Sequence, residues 1–355
     1  MVIIHVANID TSVIGGVQVA VPEIVRAQSR YATVGLVNTH GDAIPDITIS
    51  GFGGDFDPSA FPPAFQKPDI VVFHEVYRFE FIKIYRTLRS LGIPYIVMPH
   101  GCLSRKAQRK KRLKKLAANI LFFKGFLRSA RLISYLSEHE RAMSAFPEYP
   151  SLVTGNGIRV PEARKESFSE NGAKFLYIGR LEIEIKGLDL LLQAVKSCEA
   201  RMREAGASLE IYGPNYADSH AVLKGMISEL GIEDIVSLGK ERMGEEKAKA
   251  LLGADCFIQS SRTEGLPLGP IEALGCGLPC IVTEGVGLGE VIESYGAGIK
   301  CATSAEGISE AITRFLGELQ ERDAMSRSAV RLVEECYDMS AIAKKSVDVY
   351  ADLIR

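Results

Sequence analysis

Two glutamates eight residues apart form a candidate ligand-binding pair. Glu264 and Glu272 bracket a segment rich in glycine and proline, between a predicted strand at Asp255–Gln259 and a helix predicted to begin near Leu268. A helix N-terminus carries about half a positive charge and several unpaired N–H groups, so it favours an anion. The two carboxylates could hold the hydroxyl groups of a sugar-nucleotide. Alternatively, one complements the helix dipole and the other is an exposed helical residue.

Two cations follow the first predicted strand of the second half of the chain. Arg180 comes after Gly179 at the end of the predicted strand Lys174–Ile178, and Lys186 precedes a helix predicted over Leu188–Ala200. Arginine can form two parallel hydrogen bonds with a diphosphate, and lysine adds a point charge. The alternative is that both are solvated surface cations.

Two features of the first half could also contact a ligand. Gly15 and Gly16 follow the first predicted strand and precede a predicted helix. Adjacent glycines allow a backbone to approach a phosphate closely. His100 ends another predicted strand, where an imidazole could donate to a sugar hydroxyl or a phosphate. Alone, each signal would also fit a flexible turn or an ordinary hydrogen-bonded histidine.

The sequence gives little indication of a metal site. Asp55 and Asp57 form an Asp-x-Asp pair, but they lie in a turn-rich loop without a flanking strand. The six histidines are scattered, and the seven cysteines have irregular spacing. We therefore expect no bound metal and free thiols in a reducing compartment. No Ser/His/Asp or Cys/His arrangement can be placed either.

Length and charge are those of an ordinary two-domain protein. The chain has 355 residues, and 42 Lys and Arg against 44 Asp and Glu give a net charge of −2. That balance creates no overall field for nucleic acid. The apolar N-terminus lacks a basic region and a cleavage site, and no apolar run approaches the roughly 18 residues of a membrane span. We expect a cytoplasmic protein.

Short apolar runs alternate with helical stretches along the chain. Their continuous apolarity predicts parallel strands covered on both faces, in a doubly wound α/β fold. A polar stretch at 159–172 predicts domains 1–165 and 166–338, with a last helix at 339–355. Ligands of such sheets bind beyond the carboxyl ends of the strands, so a cleft between the domains is the expected site. The predicted strands are Val2–Ala7, Thr33–Asn38, Asp69–Phe73, Tyr95–Met98, Leu132–Tyr135, Ser151–Thr154, Lys174–Ile178, Ser208–Tyr212, Ile235–Leu238, Cys256–Gln259 and Cys280–Thr283.

One segment is strongly basic. Residues 105–115 contain eight lysines and arginines, and an apolar stretch follows before Lys124, Arg128 and Arg131. A basic stretch that continues into an apolar helix favours an anionic membrane surface, at about 1 kcal/mol per cation near the lipid. A solvated helix face is the simpler alternative. Nucleic acid is another, but no interleaved aromatic residues support it.

In combination, these motifs resemble family 4 of the GT-B glycosyltransferases. The resemblance covers nearly the whole chain, and the segment 260–279 is similar to the nucleotide-sugar signature of that family. It implies two Rossmann-like domains facing each other across a cleft. The N-terminal domain would bind the acceptor and the C-terminal domain the donor, and the last helix would return to the first domain. The other matching motifs are Gly15-Gly16-Val17, His100-Gly101, Asn156-Gly157-Ile158, Gly179-Arg180-Leu181 and Lys186-Gly187.

The resemblance implies roles for individual residues. Arg180 and Lys186 would hold the diphosphate, Glu264 and His100 the transferred sugar, and Glu272 the ribose. Gly16 would close over the phosphate. The remaining donor-binding positions that it implies are Gly15, Gly179, Lys240, Gly265, Leu266, Pro267 and Leu268.

The resemblance also implies a reaction. A retaining, metal-independent transfer would move a sugar from a UDP- or GDP-sugar to a lipid-linked saccharide, in surface-polysaccharide biosynthesis at the inner face of the cytoplasmic membrane. Gly265-Leu266 replaces the more common Phe-Gly, as in members that build bacterial surface polysaccharides, and Lys186 lies one residue further from Leu181 than is usual. A sugar-nucleotide epimerase or hydrolase, a transferase for a soluble acceptor, and a non-enzymatic binding module remain open.

Overall fold

The structure is a computed structural model that describes residues 1–12, 15–49, 56–109, 112–170 and 172–355, with Arg112 described by its backbone alone. The chain divides into two compact units: unit 1 is residues 1–156 with 339–355, and unit 2 is residues 157–338. The whole polar stretch that guided the predicted boundary thus lies within unit 2. The N–H of Ile158 donates to the carbonyl of Tyr337 at 2.9 Å, and that of Lys165 donates to the carbonyl of Cys276 at 2.8 Å.

The described strands of unit 1 form a parallel sheet in the order β2-β1-β3-β4-β5-β6. Three neighbouring strands, β3 to β5, are buried at every position, as expected for a sheet covered on both faces. The strand order reverses between β1 and β3, which makes this pair the switch point of the sheet. The strands are β1 Val2–Ala7, β2 Thr33–Asn38, β3 Ile70–His74, β4 Tyr95–Met98, β5 Leu132–Tyr135 and β6 Ser151–Val153.

The described strands of unit 2 form a second parallel sheet, in the order β9-β8-β7-β10-β11-β12. This is the doubly wound order in which ligands bind at the point where the order reverses, here between β7 and β10. The segments carrying Arg180 and Glu264 follow these two strands. The strands are β7 Lys174–Ile178, β8 Ser208–Tyr212, β9 Val236–Gly239, β10 Cys256–Gln259, β11 Cys280–Thr283 and β12 Gly298–Cys301.

The α/β prediction is confirmed, and each predicted strand is present with ends that agree within one residue. The strand β12 was not predicted, because four residues that include glycine and lysine give little strand signal. Its Gly298 lies so close to β11 that a Cβ atom would be 2.0 Å from the carbonyl oxygen of Cys280. Close packing therefore requires the glycine that weakened the sequence signal.

Helices lie in most of the connections between successive strands. In unit 1 the last helix, α16, packs on α1, where Met339, Ile342 and Ala343 contact Ile24 and Ala27. The helices of unit 1 are α1 Gly16–Gln28, α2 Phe79–Leu91, α3 Arg105–Arg109, α4 Arg112–Ala118, α5 Lys124–Ser129, α6 Glu138–Ala142 and α16 Met339–Ile354. Those of unit 2 are α7 Ile183–Lys186, α8 Leu188–Ser197, α9 Glu199–Ala205, α10 Ser219–Leu230, α11 Gly244–Gly253, α12 Leu268–Gly275, α13 Gly289–Tyr295, α14 Ala305–Gly317 and α15 Arg322–Cys336.

Candidate functional site

Arg180 lies just beyond the end of β7 with its side chain 46% exposed. Its guanidinium forms an ion pair with Glu182 at 3.1 Å and lies 5.3 Å from the centre of the Tyr216 ring. The neighbouring strand end approaches closely, because a Cβ atom on Gly213 would be 1.9 Å from the carbonyl oxygen of Gly179. The backbone next to Arg180 is thus closely packed, and its guanidinium remains accessible to an anionic ligand.

Lys186 and Glu264 contact each other directly. The lysine ends α7, and its ammonium forms an ion pair with Oε1 of Glu264. The two side chains are only 16% and 19% exposed. The hydroxyl of Ser261 donates to the same carboxylate oxygen at 3.3 Å. The cation and the carboxylate predicted for the diphosphate and the sugar are therefore neighbours at the switch point of unit 2.

The backbone around Glu264 is firmly held. Its N–H donates to the carbonyl of Gly285 at 2.8 Å, and its carbonyl accepts from Gly287 at 3.3 Å. A Cβ atom on Gly285 would be 2.6 Å from the carbonyl oxygen of Arg262. The hydroxyl of Thr283 donates to the carbonyl of Ser261 at 2.6 Å. The segment before α12 is therefore a packed loop that fixes the backbone position of Glu264.

The turn after Glu264 leads into α12 without a competing anion. Pro267 precedes the helix, no side chain caps its first N–H groups, and its first turn contains no acid. Leu268 begins the helix, whereas Leu266 is buried below the turn. Gly265 completes the turn between Glu264 and Leu266. The helix N-terminus, which no side chain of a described residue caps, and the helix dipole make this turn suitable for an anion.

Glu272, one turn into α12, forms an ion pair with Lys247 on α11. Sequence reasoning missed Lys247, because no motif marks a lysine 25 residues upstream in an ordinary helix. Both side chains are about one-quarter exposed. The ion pair uses Oε2, and no described residue forms a hydrogen bond with the other carboxylate oxygen, which can accept from a ligand hydroxyl.

The strand end after β9 carries further cations. Lys240 is exposed directly after the strand. Arg242, which the sequence did not single out, donates to the Tyr212 hydroxyl at 3.1 Å and lies 4.2 Å from the centre of that ring. An aromatic ring and an arginine therefore lie at the carboxyl ends of β8 and β9.

In unit 1, Gly15 and Gly16 begin α1 as predicted. Gly15 precedes the helix in an extended conformation, no side chain caps the helix, and its first turn contains no acid. A Cβ atom on Gly16 would meet no atom of a described residue within 4 Å. The packing of unit 1 therefore does not itself require this glycine, and space is open above the helix N-terminus. Val13 and Ile14, directly before, lie outside the described residues.

His100 is the half-buried outer member of a row of three histidines, and the two inner members, His5 and His74, are buried. Its Nε2 lies 2.9 Å from Nδ1 of His74, whose Nε2 lies 2.7 Å from Nδ1 of His5. Burial lowers the pKa of His5 and of His100 to about 4, and it lowers the pKa of His74 well below its ordinary value. All three imidazoles are therefore neutral at pH 7. The sequence signal that could have revealed this row is the presence of histidines in the otherwise apolar strands β1 and β3.

A buried carboxylate holds the turn that carries His100. Both His100 and Gly101 have left-handed backbones, with φ of 48° and 80°. Glu140 accepts hydrogen bonds from the N–H groups of Gly101 and Leu136. Burial raises the pKa of its carboxyl group, and the two N–H donors oppose that shift. Sequence reasoning missed Glu140, which lies 39 residues from the turn that it supports.

The basic segment forms α3, α4, a π-helical turn at Asn119–Phe123 and α5. Its apolar side chains are unusually exposed: 81% for Leu113 and more than half for Leu116, Ile120 and Leu121. A cavity of about 800 Å³ lies beside them, lined by Leu116, Ile120, Phe146 and Tyr149 among others, with Arg109 and Lys124. Lys110 and Lys111 lie outside the described residues. In the described part of the chain, no helix is long and apolar enough to cross a membrane.

Three carboxylates outside these sites accept hydrogen bonds from nearby residues. Asp57 of the Asp-x-Asp pair accepts from the N–H of Ser59, and Asp55 lies outside the described residues. Asp10, His40 and Asp42 come together at the surface with potential ligand atoms within 4.8 Å of one another. The spacing of these three residues gave no sequence signal. Both acids already accept hydrogen bonds: Asp10 from Ser12 in its own loop, and Asp42 from Thr11 in the loop that follows β1.

Comparisons with known proteins connect the second half of the chain to a glycosyltransferase family. Residues 159–331 match the model for glycosyl transferases group 1. A GDP-mannose:cellobiosyl-diphosphopolyprenol alpha-mannosyltransferase of Xanthomonas campestris is 27% identical over 62% of this chain and 57% of its own length. The amylovoran biosynthesis glycosyltransferase AmsK of Erwinia amylovora is 30% identical over 54% and 47%, respectively. The chain thus spans about half the length of these curated relatives.

Solved structures match over nearly the entire chain. The sucrose-phosphate synthase of Thermosynechococcus elongatus has a TM-score of 0.76 at 18% identity and covers 99% of both chains. HepE of Anabaena, in complex with UDP, has a TM-score of 0.76 at 17% identity and covers 99% of this chain and 100% of its own. The fold is therefore that of the GT-B glycosyltransferases. Residues 159–331 thus match the group 1 glycosyltransferases, and the chain has the GT-B fold.

Proposed function

We propose that the protein transfers a sugar from a nucleoside diphosphate donor to a saccharide acceptor, with retention of configuration and without a metal ion. The observation that carries the proposal is the grouping at the switch point of unit 2. There, Arg180 and the Lys186–Glu264 ion pair follow β7 and β10, and the uncapped N-terminus of α12 comes next along the chain. The leaving diphosphate gains negative charge, which fixed cations and helix N–H groups stabilise.

The ion pair suggests how donor binding rearranges the site. A diphosphate competes with Glu264 for the ammonium of Lys186. Once released, the Glu264 carboxylate can accept hydrogen bonds from the hydroxyls of the transferred sugar. The carboxylate is held by Lys186 and Ser261 and is not a free nucleophile. We therefore favour attack from the front face, with a departing phosphate oxygen taking the proton of the acceptor.

The donor is proposed to be a UDP- or GDP-sugar. HepE has been solved with UDP and with UDP-glucose, and the Xanthomonas relative is named for GDP-mannose. In this chain, the free oxygen of Glu272 is suited to a ribose hydroxyl. Arg180 and Lys186 supply the diphosphate contacts in the proposal.

The acceptor is proposed to be a saccharide linked to a lipid, reached at the inner face of the cytoplasmic membrane. The support is the exposed apolar side chains of residues 113–121 among lysines and arginines, beside an apolar cavity. Cations attract anionic lipid, and exposed leucine and isoleucine side chains enter the acyl boundary. The Xanthomonas relative is named for a diphosphopolyprenol-linked acceptor.

The donor half is tested by ligand-dependent stability and by product analysis. We expect UDP or GDP and one of their sugars to raise the melting temperature, because binding to the native state alone stabilises it. With a lipid-linked acceptor, NMR of the product should show the anomeric configuration of the donor, and excess chelator should not change the rate. Free sugar released without an acceptor product would indicate a hydrolase or epimerase instead. Loss of turnover with chelator would contradict metal independence.

The membrane half is tested with vesicles. We expect binding to anionic vesicles at moderate salt and little binding to neutral ones. The double variant Leu116→Ser/Ile120→Ser should bind less. The control Val222→Ser changes an exposed apolar residue of unit 2 and should bind like the wild type. Equal binding by all three proteins would remove this surface from the proposal, and rapid transfer to a soluble saccharide would favour a soluble acceptor.

A further inference from the structure

The buried histidine row continues inward to the C-terminal helix. Nε2 of His5 lies 2.8 Å from Oε1 of Gln28, and Nε2 of Gln28 donates to Oγ of Ser346 at 2.7 Å. The Ser346 hydroxyl in turn donates to the carbonyl of Ala343 at 2.8 Å. His5, Gln28 and Ser346 are almost fully buried, and all of these residues belong to unit 1. We call the set Ser346, Gln28, His5, His74 and His100 the relay.

The inner end of the relay has a fixed direction. Ser346 has one hydroxyl proton, and the carbonyl of Ala343 takes it. Towards Gln28, this hydroxyl is therefore an acceptor, so the amide nitrogen of Gln28 must face it. The amide oxygen then faces His5 and can only accept. Nε2 of His5 therefore carries the proton.

The proton position on His5 determines which nitrogen is protonated on His74 and then on His100. A neutral imidazole has one N–H donor and one acceptor nitrogen. With its proton on Nε2, His5 accepts at Nδ1, so His74 must donate from Nε2. His74 then accepts at Nδ1, so His100 must also donate from Nε2. Burial keeps all three rings neutral, since a charged ring would need two acceptors.

We infer that the relay fixes His100 as the tautomer with its proton on Nε2 and presents Nδ1 as a hydrogen-bond acceptor for a ligand hydroxyl. Nδ1 of His100 has no hydrogen-bond partner among the described residues. An acceptor nitrogen selects a hydroxyl donor over a phosphate oxygen, so we assign His100 to a sugar hydroxyl. This assignment rests on the proposed function. From its position in the sequence, His100 could donate to a ligand, whereas the relay makes it an acceptor.

Gln28 and Ser346 are therefore positioning residues that act on the substrate through His100. They lie on α1 and α16, which the chain separates by 318 positions. Docking of the C-terminal helix on unit 1 thus completes the relay. A merely structural role would stabilise that docking without selecting a tautomer.

The direct test is the tautomer itself, measured without any substrate. Long-range ¹H–¹⁵N spectra of protein labelled at histidine distinguish protonated from unprotonated ring nitrogens, and the variant His100→Asn assigns the signal of His100. In the wild type, we expect a protonated Nε2 and an unprotonated Nδ1. A His100 that is protonated on Nδ1 would overturn the inference, and this outcome does not depend on whether the protein is a transferase.

Variants of Ser346 test what fixes the direction. Ser346→Ala removes the serine hydroxyl that accepts from the Gln28 amide and leaves it the Tyr350 hydroxyl, which can donate or accept, so the amide can turn and both tautomers of His100 should appear. We expect kcat/KM to fall about five- to tenfold, the size of one hydrogen bond. Ser346→Thr keeps the hydroxyl and should restore the single tautomer. Ser340→Ala, a matched change on the same helix outside the relay, should behave like the wild type.

The two readouts separate failure of the relay from failure of the proposed function. If Ser346→Ala keeps the wild-type tautomer and rate, the relay does not set the tautomer. If the tautomers change as expected but His100→Ala transfers sugar at the wild-type rate, the relay exists and His100 does not contact the substrate. Either result overturns the corresponding part of the inference.

Discussion

The switch points of the two units differ in the charge and the burial of their side chains. At β7 and β10 of unit 2, the side chains are charged, paired and partly exposed, as in the Lys186–Glu264 and Arg180–Glu182 ion pairs. At β1 and β3 of unit 1, His5 and His74 are neutral and buried. Charged pairs can exchange partners when a charged ligand arrives, because water screens the rearrangement. A buried neutral row cannot exchange partners, and so it holds one direction of hydrogen bonding.

The largest predicted effect tests whether the unit 1 site is neutral. A histidine whose folded-state pKa is lowered binds fewer protons than in the unfolded chain, so stability falls as pH falls from 6.5 towards 4. Each such histidine contributes about 1.4 kcal/mol per pH unit. His5 and His100, both with a pKa of about 4, should together lower the free energy of unfolding by about 4 kcal/mol at pH 5 relative to pH 7.

Chemical denaturation at pH 7, 6 and 5, followed by circular dichroism, measures this dependence. The window lies above the pH at which most carboxylates of an unfolded chain take up protons, about 4. The variant His100→Asn should reduce the slope by one proton. A stability that does not change over this window would mean that the row is not held neutral, and the contrast between the two units would be lost.

The next prediction removes a charge from unit 2. Arg180→Ala should lower kcat by about 10²–10³, by analogy with the loss of one donor to a developing anion. Arg180 is half-exposed, so the variant should fold normally. Arg201→Ala removes a surface arginine that also pairs with a nearby glutamate, and it should leave kcat unchanged. Near wild-type turnover of a folded Arg180→Ala protein would exclude this residue from stabilising the leaving group.

The sequence predicted the features that depend on residues close together in the chain, and it missed those that depend on distant residues. Apolar runs gave the strands, and motifs at strand ends gave Arg180, Lys186 and Glu264, because both are local patterns. Lys247 and Glu140 were missed, since their partners lie 25 and 39 residues away and ordinary helices carry them. The relay was missed for the same reason: its contacts join α1, two strands and α16. A single sequence records which residues are polar in a buried strand, but not what they face.

The third prediction concerns how firmly the unit 2 loops are held. Gly187 and Gly231 both have φ of +64°, so alanine at either position costs about 1–2 kcal/mol of backbone strain. At Gly187 a Cβ atom would also lie 2.1 Å from the carbonyl oxygen of Ser260, whereas at Gly231 it would meet no atom of a described residue within 4 Å. The overlap should add about 1–3 kcal/mol. Gly187→Ala should therefore destabilise the protein clearly more than Gly231→Ala in denaturant unfolding.

Equal destabilisation by the two alanines would contradict the close approach of the Lys186 turn to the loop before Glu264. In that case, the ion pair between these residues would not rest on a fixed backbone. A larger effect at Gly187 would show that the turn after Lys186 packs tightly against the loop before Glu264.

The smallest predicted effect concerns the separate contributions of Lys247 and Glu272 to donor binding. Glu272→Ala should weaken binding of the nucleotide-sugar about tenfold in calorimetry, the loss of one good hydrogen bond. A partly exposed ion pair contributes only about 0–1 kcal/mol to stability, so removing either partner leaves the fold intact. Lys247→Met leaves the carboxylate in place and frees its second oxygen, so donor affinity should be kept or increased. If Lys247→Met weakens binding as much as Glu272→Ala, the lysine contacts the nucleotide and the glutamate only positions it, and the ribose would then be bound by the positive member of the pair.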